Sequence, residues 1–474
     1  MEQTSPKTCK VNNKCGACQN IEVPYCAQLK QKTAEIQELF SEVEGAPCVL
    51  PILGMEHPYG YRNKVTSPFA PGKKLPTNQK ENQHVRAVKG VSSAKAKQKA
   101  KRSKRSLPYK VLSGMYAAHS HKIINTDSCV IEHERGKAVV RAIRTLMGKY
   151  GVEPYNEDAN TGFMRHVVVR IAQNTNEVLV TLVTNKNEFA SSKQFCRQLV
   201  KLCPFITTIV QNVNTRKTNV ILGQNERVLY GPGFILDTLC SLSFRISSTS
   251  FYQVNCAQTE VLYNTAVGFA LCGSGAKHGH TNNNCAESTA THEQATFAST
   301  NAMANPVVID AYCGTGTIGL VAAKLGASRV IGVDCVASAI KDARENAKHN
   351  GIENATFATC DAGEFMLALA GHESTQQAQK AAFRALERGA INPNETVLML
   401  DPPRAGSSPE FLQAALSFKP ARIVYISCNP KTQVRDVKVL TSAGYKIEAI
   451  QPVDMFPHTN HVENVVLMVK VRDK

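Results

Sequence analysis

After residue 305 the chain alternates short apolar strands with helical spans, and this alternation constrains the fold more than any other feature. The pattern predicts a mostly parallel sheet with helices on both faces, a doubly wound α/β fold. The predicted strands lie near 307–311, 330–333, 355–358, 397–400 and 423–426, with a helix over 337–350. Ligands bind such sheets beyond the carboxyl ends of the strands, so the residues that follow each strand are the first candidates for function.

A glycine-rich loop joins the first of these strands to a helix. Glycines at 314, 316 and 319 allow a ligand to approach the backbone, and the following helix offers free amides. Asp334 ends the next strand, where it can accept hydrogen bonds from ribose hydroxyls. The same spacing satisfies the dinucleotide fingerprint, so a nicotinamide or flavin dehydrogenase is the rival class. Asp310, ahead of the glycines, favours S-adenosylmethionine, because a carboxylate there would repel a pyrophosphate but not a sulfonium amino acid.

The segment Asp401-Pro402-Pro403-Arg404 follows the strand at 397–400 and places a carboxylate and a rigid turn at the same edge. A dehydrogenase has no evident use for this turn. Amino-group methyltransferases carry an aromatic residue after such a proline pair, and RNA cytosine methyltransferases carry a cysteine in the equivalent segment; this chain has Arg404 and no cysteine there. The alternative is an ordinary turn between a strand and a helix.

Cys428 follows the last of the five strands, in the segment Ser427-Cys428-Asn429-Pro430. A thiolate at the carboxyl edge of a parallel sheet can act as a nucleophile. Taken alone, Cys428 is better explained as a buried structural thiol, because free cysteine is among the most buried residue types. Its position in one sheet with the glycine loop and the Asp-Pro-Pro-Arg turn favours covalent methyl transfer onto a pyrimidine.

Five motifs in order resemble the 5-methyluridine RNA methyltransferase family, which includes bacterial uracil-5 enzymes acting on 23S rRNA and on tRNA. The motifs are Phe251-Tyr252-Gln253-Val254-Asn255, Asp310 to Gly319, Asp401 to Gly406, Ser427 to Pro430, and His461-Val462-Glu463. The resemblance implies that Cys428 is the nucleophile and Glu463 the base that removes the C5 proton. Without the resemblance, Glu463 would be interpreted as a solvated carboxylate. The resemblance also implies that S-adenosylmethionine contacts Gln253, Tyr312, Asp334 and Asp401, with Asp361 near the adenine.

Three cysteines near the amino terminus, Cys9, Cys15 and Cys18, have the spacing of metal ligands. Zinc and an iron-sulfur cluster are both consistent with them, whereas radical S-adenosylmethionine chemistry needs a Cys-x3-Cys-x2-Cys motif that the chain lacks. The family resemblance supplies Cys129 as the fourth ligand, with Cys26 as its competitor, and implies a [4Fe-4S] cluster. Sixteen cysteines without the spacing of a small disulfide-rich domain predict reduced thiols.

The formal net charge of +17 favours a polyanionic partner such as RNA, but most of this charge is local. Between Pro71 and Lys110 there are 13 Lys or Arg against one acidic residue, so this stretch supplies +12 and the rest of the chain +5. The tract from Ala94 to Arg105, the basic arm, could grip phosphates through counterion release, or it could be a solvated insertion without a partner. Arg165 and Arg170 are interpreted either as RNA contacts or as ion pairs within the fold.

The sequence thus predicts an iron-sulfur region over 1–130 with a basic insertion at about 71–108 and a central α/β RNA-binding domain over 131–245. A Rossmann-like methyltransferase domain follows over 246–474, with polar surface insertions at about 273–305 and 371–395. Because no run of 18 apolar residues occurs, we expect a cytoplasmic monomer without membrane contact. The predicted function is 5-methyluridine formation in 23S rRNA, which the cluster favours. The alternatives are a tRNA substrate and a non-catalytic iron-sulfur protein that binds RNA during assembly.

Overall fold

The structure, a computed structural model, describes residues 7–75, 107–117, 120–275 and 302–471. The basic arm and most of the predicted insertion at 273–305 lie outside these ranges. The chain begins with a short helix, α1 (Asn12–Cys15), and a long one, α2 (Tyr25–Phe40). Every fourth residue of α2 is buried, namely Gln28, Lys32, Ile36 and Phe40. One face of this helix is therefore packed along its whole length.

A six-stranded sheet forms the centre of the first half of the chain, in the order β2-β1-β5-β6-β7-β8. Its strands are β1 (Lys64–Lys74), β2 (Tyr109–Ser113), β5 (Met164–Ile171), β6 (Val178–Thr184), β7 (Thr208–Val213) and β8 (Asn225–Tyr230), and a small ribbon is formed by β3 (Met115–Tyr116) and β4 (Ile123–Ile124). Only β6 and β7 are parallel neighbours in this sheet. Two helices, α3 (Glu134–Tyr150) and α4 (Ser192–Leu202), cover one face, where alternate strand residues form a shared apolar core with them.

A hairpin of β9 (Ile235–Leu239) and β10 (Leu242–Ile246) leads into the buried helix α5 (Cys256–Cys272) and a 3-10 turn over Gly273–Gly275. The second half of the chain then forms a seven-stranded sheet in the order β13-β12-β11-β14-β15-β17-β16. Its strands are β11 (Val307–Ala311), β12 (Arg329–Asp334), β13 (Ala355–Thr359), β14 (Thr396–Leu400), β15 (Arg422–Ser427), β16 (Tyr445–Val453) and β17 (Glu463–Lys470). The first five are parallel, and β17 inserts antiparallel between β15 and β16.

Helices cover both faces of this sheet, so the predicted doubly wound fold is confirmed. They are α6 (Thr317–Lys324), α7 (Ala337–His349), α8 (Ala362–Leu369), α9 (Gln376–Glu387), α10 (Pro409–Phe418) and α11 (Pro430–Ser442), with a 3-10 turn over Pro393–Glu395. One apolar core contains α5, α6 and α7, and the other contains α8 to α11 together with the end of α2. The amino-terminal helix α2 is thus part of the carboxy-terminal core.

The polar span at 371–395 differs from expectation because it contains the regular helix α9. Ala378, Ala382 and Ala385 are its buried residues, so the helix packs through a narrow stripe of small side chains, while Phe383 and Leu386 are exposed. A stripe of alanines carries little hydrophobic signal in a sequence, which explains the error. In the described residues no helix is both long and apolar enough to cross a membrane.

Candidate active site

The carboxyl edge of the seven-stranded sheet gathers the residues predicted to act. Each one ends or follows a different parallel strand, as the fold requires of a site at this edge. Tyr312 follows β11, Asp334 ends β12, Asp361 comes two residues after β13, Asp401 follows β14 and Cys428 follows β15.

Cys428 and Glu463 are brought together by strand register. Ser427 of β15 lies opposite Asn464 of β17, so the next pair outward is Cys428 and Glu463. Glu463 is only 4% exposed, and its burial, with the neighbouring Asp401 carboxylate, raises its pKa well above the usual range. Burial and then the Glu463 carboxylate raise the pKa of the Cys428 thiol. The thiol and the carboxylate therefore share one electrostatic environment.

Arg404 opposes these effects, because its side chain hydrogen-bonds to the Cys428 sulfur and lowers the thiol pKa. The backbone of Arg404 is fixed by its carbonyl, which accepts a 3.0 Å hydrogen bond from the Asn429 side chain. A buried carboxylate, Asp436, holds the end of the same turn by accepting from the Ser407 amide at 2.8 Å and from the Tyr425 hydroxyl at 2.7 Å. The Asp-Pro-Pro-Arg turn is therefore anchored to the strand and helix that flank Cys428.

The glycine loop is organised by two carboxylates. Asp334 accepts from the Gly314 amide at 3.0 Å and so lies against the loop. Asp310 is buried beneath it and accepts from the Gly319 amide at 2.9 Å. Burial raises the pKa of Asp310 to about 7, the Gly319 N–H opposes this, and the carboxylates of Asp401 and Asp334 add to it. Asp310 thus supports the loop from inside, while Gly314 has no atom within 4 Å of where a side chain would begin.

The remaining predicted contacts of S-adenosylmethionine lie around this loop or beside it. Tyr312 has a positive φ of 66° and packs its ring 5.2 Å, centroid to centroid, from Phe411. Asp361 is exposed and caps α8 by accepting from the Glu364 amide at 3.1 Å. Gln253 lies in the loop before α5, where its carbonyl accepts from the Asn63 side chain at 3.0 Å. The structure thus places four of the five predicted contacts at the strand ends and Gln253 in a separate loop.

The four predicted cluster cysteines line a single pocket, the cysteine pocket, together with Arg62 and Glu132. Its sulfur atoms belong to Cys9, Cys15, Cys18 and Cys129. Burial, followed by the neighbouring thiols, raises the pKa of Cys18 to about 12. Cys26 is exposed on α2 and does not line the pocket. Within the described ranges, no three His, Cys, Asp or Glu side chains are arranged to hold one metal ion.

Of the two interpretations of Arg165 and Arg170, RNA contact is wrong, because both side chains are buried; they are internal, as the second interpretation held, but their hydrogen bonds go to backbone carbonyls. Arg165 donates to the carbonyls of Asn214 and Arg216 at 2.8 and 2.7 Å. Arg170 donates to the carbonyl of Ser250 at 2.7 Å. Both arginines are therefore structural, and neither is available to RNA.

Sequence reasoning missed three supporting features of the site. Arg404 was used only to exclude amino-group methyltransferases, which carry an aromatic residue at this position. Nothing in the sequence marked Asp436 as the residue that anchors the turn. The third is a buried ion pair between Lys32 and Asp454, with Nζ and Oδ1 2.6 Å apart. The spacing of Lys32 with Ile36 and Phe40 was a signal that Lys32 lies on the buried helix face, although it could not identify Asp454 as the partner.

Comparison with sequence families matches residues 282–471 to the family described as tRNA (uracil-5-)-methyltransferase. An RNA methyltransferase of Halalkalibacterium halodurans is 35% identical over 97% of this chain and 82% of the relative. One from Listeria monocytogenes serotype 4b is 36% identical, over 97% of this chain and 83% of the relative. The relatives thus align with nearly the whole chain.

Among solved structures, the chain resembles the Pyrococcus abyssi tRNA (uracil-54, C5)-methyltransferase in complex with S-adenosyl-L-homocysteine. The TM-score is 0.63 with 22% identity, over 94% of this chain and 83% of that one. At this identity the likeness establishes the fold.

Proposed function

The chain belongs to the 5-methyluridine RNA methyltransferase family, and from that premise we propose that it methylates C5 of a uridine in 23S rRNA through a covalent bond between Cys428 and C6. Membership of this family decides against the dehydrogenase class. The observation that best supports the covalent route is that Cys428 and Glu463 lie next to each other just beyond the last β15–β17 pair, beside Arg404. A non-catalytic RNA-binding protein would have no use for a thiol and a buried carboxylate held this way.

Cys428 acts first, because C5 of uracil is too weak a nucleophile to take a methyl group unaided. Its thiolate adds to C6, and the electron pair of the C5–C6 double bond moves toward C5 and the C4 carbonyl. Arg404 favours this step, since its hydrogen bond stabilises the thiolate over the thiol. The uridine must leave its stack to reach the thiol.

Glu463 acts after methyl transfer. C5 then carries both the methyl group and its original proton, and the carboxylate removes this proton as the C5–C6 double bond forms again and expels the Cys428 thiolate. A raised pKa makes Glu463 a stronger base once it is ionised, and its burial beside the thiol keeps water away.

Residues around the glycine loop fit S-adenosylmethionine, which would supply the methyl group as an electrophile. The carboxylate of Asp334 has accepting capacity beyond its two amide hydrogen bonds, and this capacity suits ribose hydroxyls. Gly314 leaves open space beside the loop. Tyr312, Asp361 and Asp401 complete the proposed set at the strand ends, with Gln253 approaching from the loop before α5.

Cys9, Cys15, Cys18 and Cys129 are proposed to hold a [4Fe-4S] cluster. The donor set fits, because four thiols line one pocket. Each of the four cysteines would supply one thiolate ligand to the cluster. The role of the cluster is proposed to be structural or RNA-orienting, and its presence supports rRNA over tRNA as the substrate.

A trapping experiment tests the covalent mechanism. Glu463→Gln leaves addition and methyl transfer possible but removes the base, so a denaturation-resistant protein–RNA adduct carrying the methyl group should accumulate. The adduct should vanish in Cys428→Ala/Glu463→Gln. Glu410→Gln, an exposed carboxylate in the first turn of α10, is the matched control and should turn over normally. Normal turnover of Glu463→Gln, or an adduct that survives loss of Cys428, would overturn the assignment.

The RNA class is tested by mapping 5-methyluridine in rRNA and tRNA from cells with and without the protein. Loss of the modification from 23S rRNA alone supports the proposal. Loss from tRNA alone would reassign the substrate while leaving the chemistry intact, and loss from neither would refute the proposed activity.

A further inference from the structure

The segment Asp454–His461, the base segment, leads from β16 directly to Glu463. It is buried for most of its length, with Asp454 and Met455 fully buried and His458 1% exposed. Its polar contacts come from the amino-terminal region and from α5, where Asn255 and Gln258 donate to the carbonyls of Met455 and Asp454 at 3.0 and 3.1 Å. This segment determines where β17 begins, and therefore where the Glu463 carboxylate is held.

Lys32 of α2 contacts the base segment at both ends. Its ammonium lies 2.6 Å from Asp454 Oδ1 and also donates to the carbonyls of Phe456 at 3.3 Å and His461 at 3.1 Å. The other oxygen of Asp454 accepts from the Tyr25 hydroxyl at 2.7 Å. One buried cation thus joins the beginning of the segment to the residue two positions before Glu463.

His458 is held at the middle of the base segment in a conformation that it would not adopt alone. Its φ is 67°, in the left-handed region that a non-glycine residue occupies only at a cost. Gln28 of α2 contacts both its amide, at 3.1 Å, and its ring Nδ1, at 3.1 Å. The ring Nε2 lies 3.0 Å from the Pro58 carbonyl, and the Tyr59 ring stacks 4.7 Å away. Strain of this kind persists only where the surroundings determine the geometry completely.

Asn20, in the turn just after Cys18, adds two hydrogen bonds to the base segment. Its amide donates to the His458 carbonyl at 3.0 Å, and its side chain donates to Asn460 Oδ1 at 2.8 Å. On the far side of Glu463, the Asn464 side chain donates to Gln433 Oε1 at 2.8 Å. Glu463 is therefore supported by a local contact on one side and by the amino-terminal region on the other.

We propose that Lys32, Gln28 and Asn20 are positioning residues that hold the base segment so that Glu463 faces the Cys428 adduct. This inference rests on the proposed function, because it assumes that Glu463 is the base. None of the three residues is proposed to touch substrate. Proton removal depends on the position of Glu463, whereas thiolate addition depends on the turn at Arg404, which Asp436 and Asn429 hold independently.

The proposal predicts a selective defect in one step. In Lys32→Met the side chain keeps its apolar stem and loses its ammonium group, so the segment should shift and Glu463 with it. A displacement of about 1 Å can slow a step by about 100-fold, so adduct resolution should slow by roughly 10- to 100-fold. Adduct formation should change by less than about threefold, since the groups at Cys428 are untouched. The methylated adduct should therefore accumulate with RNA, as in Glu463→Gln but to a smaller extent.

Single-turnover quench experiments on the full-length chain measure both rates, using radiolabelled methyl donor and gel separation of the adduct. Lys30→Met, an exposed lysine on the same helix, is the matched control and should change neither rate. Because Lys32→Met leaves Asp454 buried without its cation and could unfold the protein, Gln28→Met provides a second variant. It keeps the ion pair and removes the contacts of Gln28 with His458 and with the carbonyls of Asn20 and Val23, and it should show the same selective defect with a smaller amplitude.

Three outcomes separate the possibilities. Slower resolution with normal formation supports the proposal. If formation and resolution fall together in a folded variant, the contacts are merely structural and the inference is wrong. If Glu463→Gln itself fails to accumulate adduct, the proposed base is wrong; if it accumulates adduct and the folded positioning variants do not, only the positioning inference fails.

Discussion

The cysteine pocket can be compared with the proposed catalytic cleft, which is formed by Cys428, Glu463 and Arg404. Each site places thiol and carboxyl groups near one arginine, but the two sites differ in how the negative charge of ionised thiols would be balanced. Four thiols and Glu132 share Arg62 in the cysteine pocket, where burial and neighbouring thiols raise the pKa of Cys18 to about 12 and burial raises that of Cys129 to about 11. Four thiolates there would need a multivalent cation. In the cleft a single thiol contacts Arg404 directly. If the proposed roles are right, the neighbours of a cysteine, more than its burial, decide between metal binding and nucleophilic attack.

The largest expected effect comes from removing either Cys428 or a cysteine of the cysteine pocket and comparing the two variants. Cys428→Ala should reduce methylation by on the order of 10⁴-fold or more while leaving iron content unchanged. Cys18→Ala should lose iron and sulfide yet keep the ability to form the RNA adduct in whatever fraction remains folded. Metal analysis of anaerobically purified protein and a methylation assay measure both.

Cys26→Ala, an exposed cysteine outside the pocket, is the control for the cysteine substitutions and should retain iron. The proposed division of roles between the cysteine pocket and Cys428 would be wrong if the parent protein contained zinc without iron. It would also be wrong if a folded Cys18→Ala variant formed no adduct. In either case the two groups of thiols would not be separable in function.

Because Asp310 is buried beneath the glycine loop, we expect its titration to make the free energy of unfolding depend on pH. Burial raises the pKa of Asp310 to about 7, above its unfolded value of about 4, so the folded protein binds an extra proton between these values. Its contribution to stability is present below about pH 4 and is lost as the pH rises toward 7. Across that range, the free energy of unfolding of the parent should fall relative to Asp310→Asn by at most roughly 4 kcal/mol.

Denaturant titrations at several pH values measure this difference, with Glu345→Gln, an exposed carboxylate on α7, as the control. Parallel pH profiles for the parent and Asp310→Asn would show that Asp310 titrates normally. The cleft would then hold no buried proton at this position.

A smaller effect concerns the thiol itself. Arg404→Gln removes the cation that stabilises the Cys428 thiolate, so the thiol pKa should rise and alkylation by iodoacetamide near neutral pH should slow by about tenfold. Mass spectrometry of the peptide containing Cys428 measures the rate. Lys431→Gln, an exposed charge three residues away, should have little effect. Equal slowing by both substitutions would point to the general field of the protein instead of the contact.

The smallest effect is expected from removing the basic arm. The flanking strands β1 and β2 are paired, and the Leu75 amide donates to the Pro108 carbonyl at 2.8 Å, so a short linker can replace residues 76–105. RNA affinity should fall severalfold and its salt dependence should become shallower, because fewer phosphates are neutralised. Iron content and the rate at saturating RNA should not change. Unaltered affinity would mark the arm as a passive insertion.

The sequence was most informative where function depends on strand ends. The apolar runs before Asp334, Asp401 and Cys428 identified strands whose order follows from the doubly wound pattern, and the structure confirms those strands. The sequence could not decide between the two interpretations of Arg165 and Arg170, because β5 is buried on both faces and no alternation of polar and apolar residues marked them as internal. Lys32 and Asp454 lie 422 residues apart, and no local pattern can pair residues at such a distance.

The contacts between α2 and the base segment also constrain when this part of the protein can fold during synthesis. Gln28 meets His458 across 430 residues of chain, so this contact cannot form until almost the whole polypeptide has left the ribosome. Local elements such as the six-stranded sheet can fold during synthesis. By contrast, α2 cannot make its contacts with His458 until that residue has been translated. Closing so long a loop is entropically slow. A chain that stops before residue 458 would therefore lack these contacts, and with them the proposed support of Glu463.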